Sequence, residues 1–208
     1  MTKAIERANT VAKSDSGVFP IHITLGCSIA EKRARFDELV SLNPEICVEQ
    51  TASGEIVMML PTGGNSGRRS MKCSQRLSEW AEQNGGQAFD SSTLFQLPNG
   101  ARRGPDCSWV TQMRWDALSE EERDGYPPLA PDFVVELRSN SDRISELKKK
   151  MIEYQENGVK FGWLIDPLHG MVYVYGPVGD CVELVDPISV NGEQILLGFE
   201  LKLADVFS

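Results

Sequence analysis

The chain predicts a mixed α/β domain, with a central mixed β-sheet flanked by helices. Two observations carry that expectation. The segment Asp132–Arg138, DFVVELR, alternates side chains between two faces as a strand does, and it runs into a helical segment and then the apolar stretch Phe161–Ile165. A strand, helix and strand in that order join parallel neighbours, whereas the short turns elsewhere in the chain join antiparallel ones, so one sheet holds both pairings.

The elements follow in order. Residues 1–20 carry little apolar periodicity and are expected to form an N-terminal arm, leaving one domain over 21–208. In Ser28–Leu42 the residues Ile29, Phe36, Leu39 and Val40 share one helical stripe, and Asn43-Pro44 ends it. Short strands are expected at Glu45–Glu49 and Glu55–Leu60, turning at Ser53-Gly54. A glycine-rich loop, Pro61–Gly67, leads to a helix over Arg68–Gln83 that stops at Asn84-Gly85-Gly86. Strands are expected at Gln87–Ser91, Leu94–Leu97 and Asp106–Thr111, and a charged helix at Arg114–Arg123. Tyr126–Pro131 is a proline-stiffened approach to Asp132–Arg138. After the turn Ser139–Ser141 come a helix over Asp142–Glu156, stopped by Asn157-Gly158, and strands Phe161–Ile165 and Met171–Tyr175. A further hairpin stretch, CVELV, and LGFELKLADVF complete the sheet.

Composition narrows the function. The 208 residues suit one domain, with 41% apolar and 25% charged residues. No run reaches the length of about eighteen apolar residues that a membrane helix needs, and the first residues lack the apolar stretch of a secretory signal, so a cytoplasmic protein is expected. The five cysteines are scattered with no CxxC pair, and His22 and His169 are the two histidines. A zinc site and a Ser/His or Cys/His nucleophile are thus disfavoured, and the thiols are expected to be reduced and mostly buried. Catalysis here has to use carboxylates and amines. The formal charge of −9 argues against a protein that only binds nucleic acid, but not against an enzyme whose acids hold a cation.

The polar face of DFVVELR is the central feature. Phe133, Val135 and Leu137 fall on one face, and Asp132, Val134, Glu136 and Arg138 on the other. A buried charge needs water, a partner or a cation. Glu136 and Arg138 lie about 6.6 Å apart along the strand and can share a site, whereas Asp132 and Glu136, about 13 Å apart, cannot hold one ion. Asp106 opens another strand after Gly104-Pro105. If the two strands are neighbours, Asp106 and Glu136 can converge on one hard cation such as Mg²⁺. In the Asp142–Glu156 helix, Ile144, Leu147 and Met151 form an apolar stripe. Helical phase puts Lys150 beside Tyr154 on its border, Lys148 on the opposite border and Lys149 toward solvent. Lys150 can then reach over the strand to orient a water or steady a phosphate. Taken singly, each residue also has a plain reading: a turn aspartate, an ion-paired strand glutamate, a solvated lysine run.

Their order resembles a known pattern. Pro105-Asp106, then Glu136 on a later strand with a lysine nearby, resembles the PD-(D/E)XK restriction-endonuclease-like superfamily. More closely, Pro131–Pro167, with PDFVVELRSNSD, a lysine, a tyrosine and NGVKFGWLIDP, is similar to the Uma-type bacterial endonuclease family. That family also shows a PTGG loop before a helix and a terminal GF-x-L segment, here Pro61–Gly64 and Gly198–Leu201. The resemblance spans roughly Ser28 to the C-terminus. It implies a restriction-endonuclease-like core and a DNA substrate. It implies Asp106 and Glu136 as ligands of Mg²⁺ (or Mn²⁺), and Lys150, four before Tyr154, as the lysine moved from strand to helix. Asp132 falls on a second PD with no assigned role. Arg138 stands where the superfamily's E-x-K lysine would lie, and either replaces it or pairs with Glu136. Ser139-Asn140-Ser141 lacks the proline of the family's usual SPS. Two other readings compete: a catalytically silent interaction module on the same fold, favoured by the acidic charge and Arg138, and a carboxylate-pair glycosidase, for which no sugar-stacking aromatics are marked and Lys150 would be idle. Cutting two strands is compatible with a homodimer, which no feature of the sequence demonstrates.

Overall fold

A computed structural model of the chain describes residues 11–12, 20–59, 61–177, 179–193 and 195–207. The arm expected over residues 1–20 therefore lies almost wholly outside the described residues. The first half of the chain forms β1 (Val11–Ala12), β2 (Ile21–Thr24), α1 (Ile29–Leu42), β3 (Val48–Gln50), β4 (Ile56–Met58), α2 (Gly64–Asn84), β5 (Gln87–Asp90), β6 (Phe95–Gln96), β7 (Arg102–Arg103) and β8 (Cys107–Val110). The second half forms α3 (Gln112–Asp116), α4 (Glu120–Asp124), β9 (Phe133–Leu137), α5 (Ile144–Glu156), β10 (Phe161–Asp166), β11 (Met171–Tyr175), β12 (Cys181–Val185), β13 (Ser189–Asn191), β14 (Glu200–Lys202) and α6 (Ala204–Phe207).

The main sheet runs β12-β11-β10-β9-β8-β5, and a smaller one runs β1-β2-β4-β3-β7-β6. In the main sheet β9 and β10 are parallel, joined through α5 as the sequence predicts, and the other neighbours are antiparallel. β9 is buried along its whole length, with its two faces turned to different layers. Phe133, Val135 and Leu137 pack with Cys73, Leu77 and Ala81 of α2 and with the C-terminal residues Phe199 and Val206. Val134 packs on the other side with Met151 and Tyr154 of α5. Gly162 of β10 makes the second contact close. A Cβ there would stand 2.7 Å from Met151 Cε and 3.0 Å from Val134 Cγ2, so any side chain would force Met151 and Val134 to shift. That closeness sets residues of α5 directly over the polar end of β9.

The small sheet also has two faces. Val48 and Ile56 pack against Phe36 of α1, and the opposite face looks into a cleft. Ser28 closes the start of α1 through a capping box with Glu31.

Four local expectations change. The closing segment LGFELKLADVF does not complete the main sheet: β14 pairs with β13 in a separate two-stranded sheet, and α6 follows. The helix expected from Arg68 begins at Gly64, with the Gly67 amide bonded to Gly63 O at 2.9 Å, so most of the glycine-rich loop is the first helical turn. The single charged helix over Arg114–Arg123 is two short ones, because Ser119 forms a new capping box with Glu122 and starts a second helix. Of the five free cysteines, Cys73 and Cys107 are buried, whereas Cys47 and Cys181 are exposed. No helix among the described residues is long and apolar enough to cross a membrane.

Candidate active site

The pairing of β8 with β9 sets the site. Cys107 lies opposite Val135 and Ser108 opposite Val134, so the register carried one residue further sets Asp106 opposite Glu136. Asp106 Oδ2 accepts the Leu137 amide at 2.7 Å, which ties the aspartate to the end of β9 and leaves Oδ1 for another partner. Glu136 is 4% exposed. Its Oε1 lies 2.8 Å from Lys150 Nζ and accepts the Tyr154 hydroxyl at 3.1 Å. Lys150 and Tyr154, one helical turn apart on α5, thus grip the same oxygen and leave Oε2 for another partner. The other two lysines turn away: Lys148 pairs with Glu183 and covers the Tyr173 ring, and Lys149 pairs with Glu146 at the surface.

The cluster holds a member that sequence reasoning missed. Glu49 of β3, 5% exposed, reaches Lys150 Nζ at 2.8 Å and Arg103 Nη1 at 3.0 Å, and accepts the Gly104 amide at 2.8 Å. Arg103 Nε also bonds Glu153 Oε2 of α5 at 2.7 Å. The small sheet is thereby fastened to the main one through the site itself.

Two candidates stand elsewhere. Arg138 does not pair with Glu136. Its Nη1 bonds Asp166 Oδ2 at 2.7 Å and lies 2.9 Å from His169 Nδ1, beyond the end of β9. Asp132 sits at the opposite end of β9, where it bonds Arg114, Lys160 and the Thr111 amide. It clamps the strand's entry and lies outside the cluster.

The electrostatics of the cluster are unbalanced. Four carboxylates (Glu49, Asp106, Glu136 and Glu153) face two cations (Arg103 and Lys150), a surplus of two negative charges when all are ionised. Burial is the largest influence on Asp106, Glu136 and Glu49. It pushes Asp106 up to about 6, with the nearby Asp142 and Glu49 charges adding to it. It pushes Glu136 up to about 8 despite Lys150, with Asp106 and Glu49 adding their repulsion. Glu49, held between two cations, lies below its ordinary value in spite of burial, and Lys150 is raised by the two glutamates it pairs with. A divalent ion carries the charge that would offset this surplus. Among the described residues no three acidic, histidine or cysteine side chains form a closed metal cage. A cation here would rest on two carboxylates and water, a mode Mg²⁺ accepts. The donor set fits a hard ion.

A pH dependence follows. The folded-state values of Asp106 and Glu136 lie above their ordinary 3.8 and 4.5, so the folded chain keeps protons that the unfolded chain gives up. Their stabilisation is complete below about pH 4 and is lost as pH rises through about 6 and then about 8. Glu49, Asp132 and Asp166 are lowered, so they act in the opposite sense and only at more acidic pH. Thermal melts in EDTA are expected to show Tm falling from pH 5 to pH 8. A flat or rising Tm would contradict the assigned environments.

The cluster forms the floor of a cleft of about 1500 Å³ between the small sheet, the N-terminal half of α2 and α5. Residues 33–204 match a protein-family model described as "Uma2: Putative restriction endonuclease". The chain belongs to the Uma2 family. Its fold is similar to the crystal structure of "a putative nuclease belonging to DUF820" from Anabaena variabilis, with a TM-score of 0.68 over 82% of this chain and 96% of that one. At 22% identity that likeness is one of fold. No curated protein matches the sequence.

Proposed function

We propose that this Uma2-family chain is a metal-dependent endonuclease of the PD-(D/E)XK type that hydrolyses DNA phosphodiester bonds, with residues 21–208 as its single domain. The observation that supports this most is the surplus of carboxylate, two of its members buried, at the floor of an open cleft beside a lysine. In this reading Asp106 and Glu136 hold Mg²⁺ (or Mn²⁺) through the oxygens that face away from Leu137 and Tyr154. The ion, when bound, supplies Lewis-acid charge at the scissile phosphate and makes a water more acidic.

The chain's own groups do the rest. Lys150 donates a hydrogen bond that orients the attacking water and then a phosphate oxygen as negative charge builds on it. Water's oxygen forms the new bond to phosphorus in line with the P–O ester bond that breaks; the attacking water gives up a proton to solvent, and the leaving oxygen takes one from it. Glu49 and Arg103 hold Lys150 and the Gly104 backbone in place. Tyr154 fixes the Glu136 carboxylate in one orientation.

The test is cleavage of plasmid and linear duplex DNA in Mg²⁺, Mn²⁺ and EDTA. Cleavage is expected with either ion and none in EDTA; no cleavage under any ionic condition would sink the reading and favour the silent interaction module. A finer expectation concerns Tyr154, which is 1% exposed. Tyr154→Phe keeps the packing and removes the hydroxyl, so Mn²⁺ affinity by calorimetry should fall about tenfold with Tm nearly unchanged. Equal affinity in both proteins would make Tyr154 a packing residue only.

A further inference from the structure

The row of the small sheet that carries Glu49 continues to a group the cluster does not use. Glu49 pairs with Val57 of β4, and Val57 pairs with His22 of β2. Directly paired residues of antiparallel strands project from the same face. His22 thus stands two strand spacings, about 10 Å, from Glu49 on that face. Both residues line the cleft.

The imidazole is held in place. Glu55 Oε2 lies 3.0 Å from His22 Nδ1, and Glu55 Oε1 accepts the Thr24 hydroxyl at 3.0 Å. The Glu55 amide is fixed in turn on Thr51 Oγ1 at 3.0 Å. Nδ1 is therefore engaged, while Nε2 has no partner among the described residues. A histidine and glutamate on exposed strands are ordinarily a minor surface pair. Here the carboxylate is tied at both oxygens, which orients the ring, and the ring lines the cleft that holds Asp106, Glu136 and Lys150. The cleft also needs donors. Outside the cluster its lining includes Glu45, Asp90, Asp142 and Glu146 against Arg143 and Lys149, which is poor in groups that grip a polyanion.

We propose that His22, as the imidazolium paired with Glu55, is a substrate-binding residue, whose Nε2–H donates to a phosphate oxygen of the DNA strand one or two nucleotides from the phosphate at Asp106 and Glu136. Nδ1–H goes to Glu55, and Glu55 and Thr24 are positioning residues for the ring. This contact rests on the nuclease reading and extends it with a subsite on the small sheet.

The experiment measures binding of a short labelled duplex by the full chain in Ca²⁺, alongside steady-state cleavage of the same duplex in Mg²⁺. For His22→Ala the expected result is a Kd and KM about tenfold higher, the loss of one hydrogen bond to a charged group, with the effect in KM rather than kcat. Glu55→Ala, which frees the ring without removing it, should raise Kd about threefold. Both positions are partly solvent-exposed, so Tm should hold. A His22→Ala protein with the Kd and KM of the wild type overturns this inference and leaves the nuclease reading intact. A wild-type protein that neither binds nor cuts DNA overturns both.

Discussion

Asp106→Asn is expected to abolish Mg²⁺-dependent DNA cleavage, lowering kcat by at least about a thousandfold. The side-chain oxygen of asparagine can still accept the Leu137 amide, which Asp106 Oδ2 accepts at 2.7 Å, so the end of β9 keeps its anchor. What is lost is a charge. Asp106 is an acid pushed up to about 6 by burial, and ionising it in the metal-free fold is unfavourable. The variant should therefore melt no lower than the wild type in EDTA at pH 8, and it should lose the stabilisation that Mg²⁺ gives the wild type. The two readouts separate a damaged fold from a lost ligand. Cleavage within threefold of the wild type would remove Asp106 from the site.

Lys150→Met should lower cleavage by about a hundredfold to a thousandfold and also destabilise the fold. The lysine sits 2.8 Å from both Glu49 Oε1 and Glu136 Oε1. Methionine fills a similar volume but leaves the buried Glu136 without a cation and Glu49 with Arg103, which is itself shared with Glu153. Removing one member of a buried ion pair costs about 3–5 kcal/mol. The cost should be largest above pH 8, where Glu136, pushed up to about 8, is mostly ionised and most needs Lys150, and smaller at pH 6, where it is neutral. Urea unfolding at pH 9.5 and pH 6 checks this. Full cleavage by Lys150→Met, or the same loss of stability at both pH values, would contradict the role given to the lysine.

Much of the fold is legible in the sequence where local pattern and tertiary packing agree. The β9–α5–β10 block reads directly, because alternation in DFVVELR and the apolar stripe of the following helix match the faces that are buried. The choice of Lys150 over its two neighbours also reads from helical phase, since α5 lies flat on the sheet and Gly162 lets it come close. Glu49 was not legible. It sits in a three-residue strand, VEQ, where a glutamate reads as solvent-facing, and its partners Arg103, Gly104 and Lys150 lie 50 or more residues away. A closer look at Arg102-Arg103 could have raised the need for a buried acid, since arginines beside an apolar strand need partners. Arg138 was misleading for a related reason. Its spacing from Glu136 suits a shared site, but Asp166 at the end of the parallel neighbour lies closer, and periodicity within β9 cannot report that. The start of α2 differs because its first turn runs through Gly64 and Gly67, whose intrinsic preference is against a helix, so local propensity puts the start later.

The central claim is that Asp106 and Glu136 share one hard cation within reach of Lys150. A crystal structure of the protein soaked in Mn²⁺, read by the ion's anomalous scattering, tests it most directly. The expected result is one Mn²⁺ bound by an oxygen of Asp106 and an oxygen of Glu136, with its remaining ligands water and Lys150 Nζ within hydrogen-bond distance of one of those waters. A Mn²⁺ held by other residues, or an empty site between Asp106 and Glu136 at saturating Mn²⁺, would contradict it.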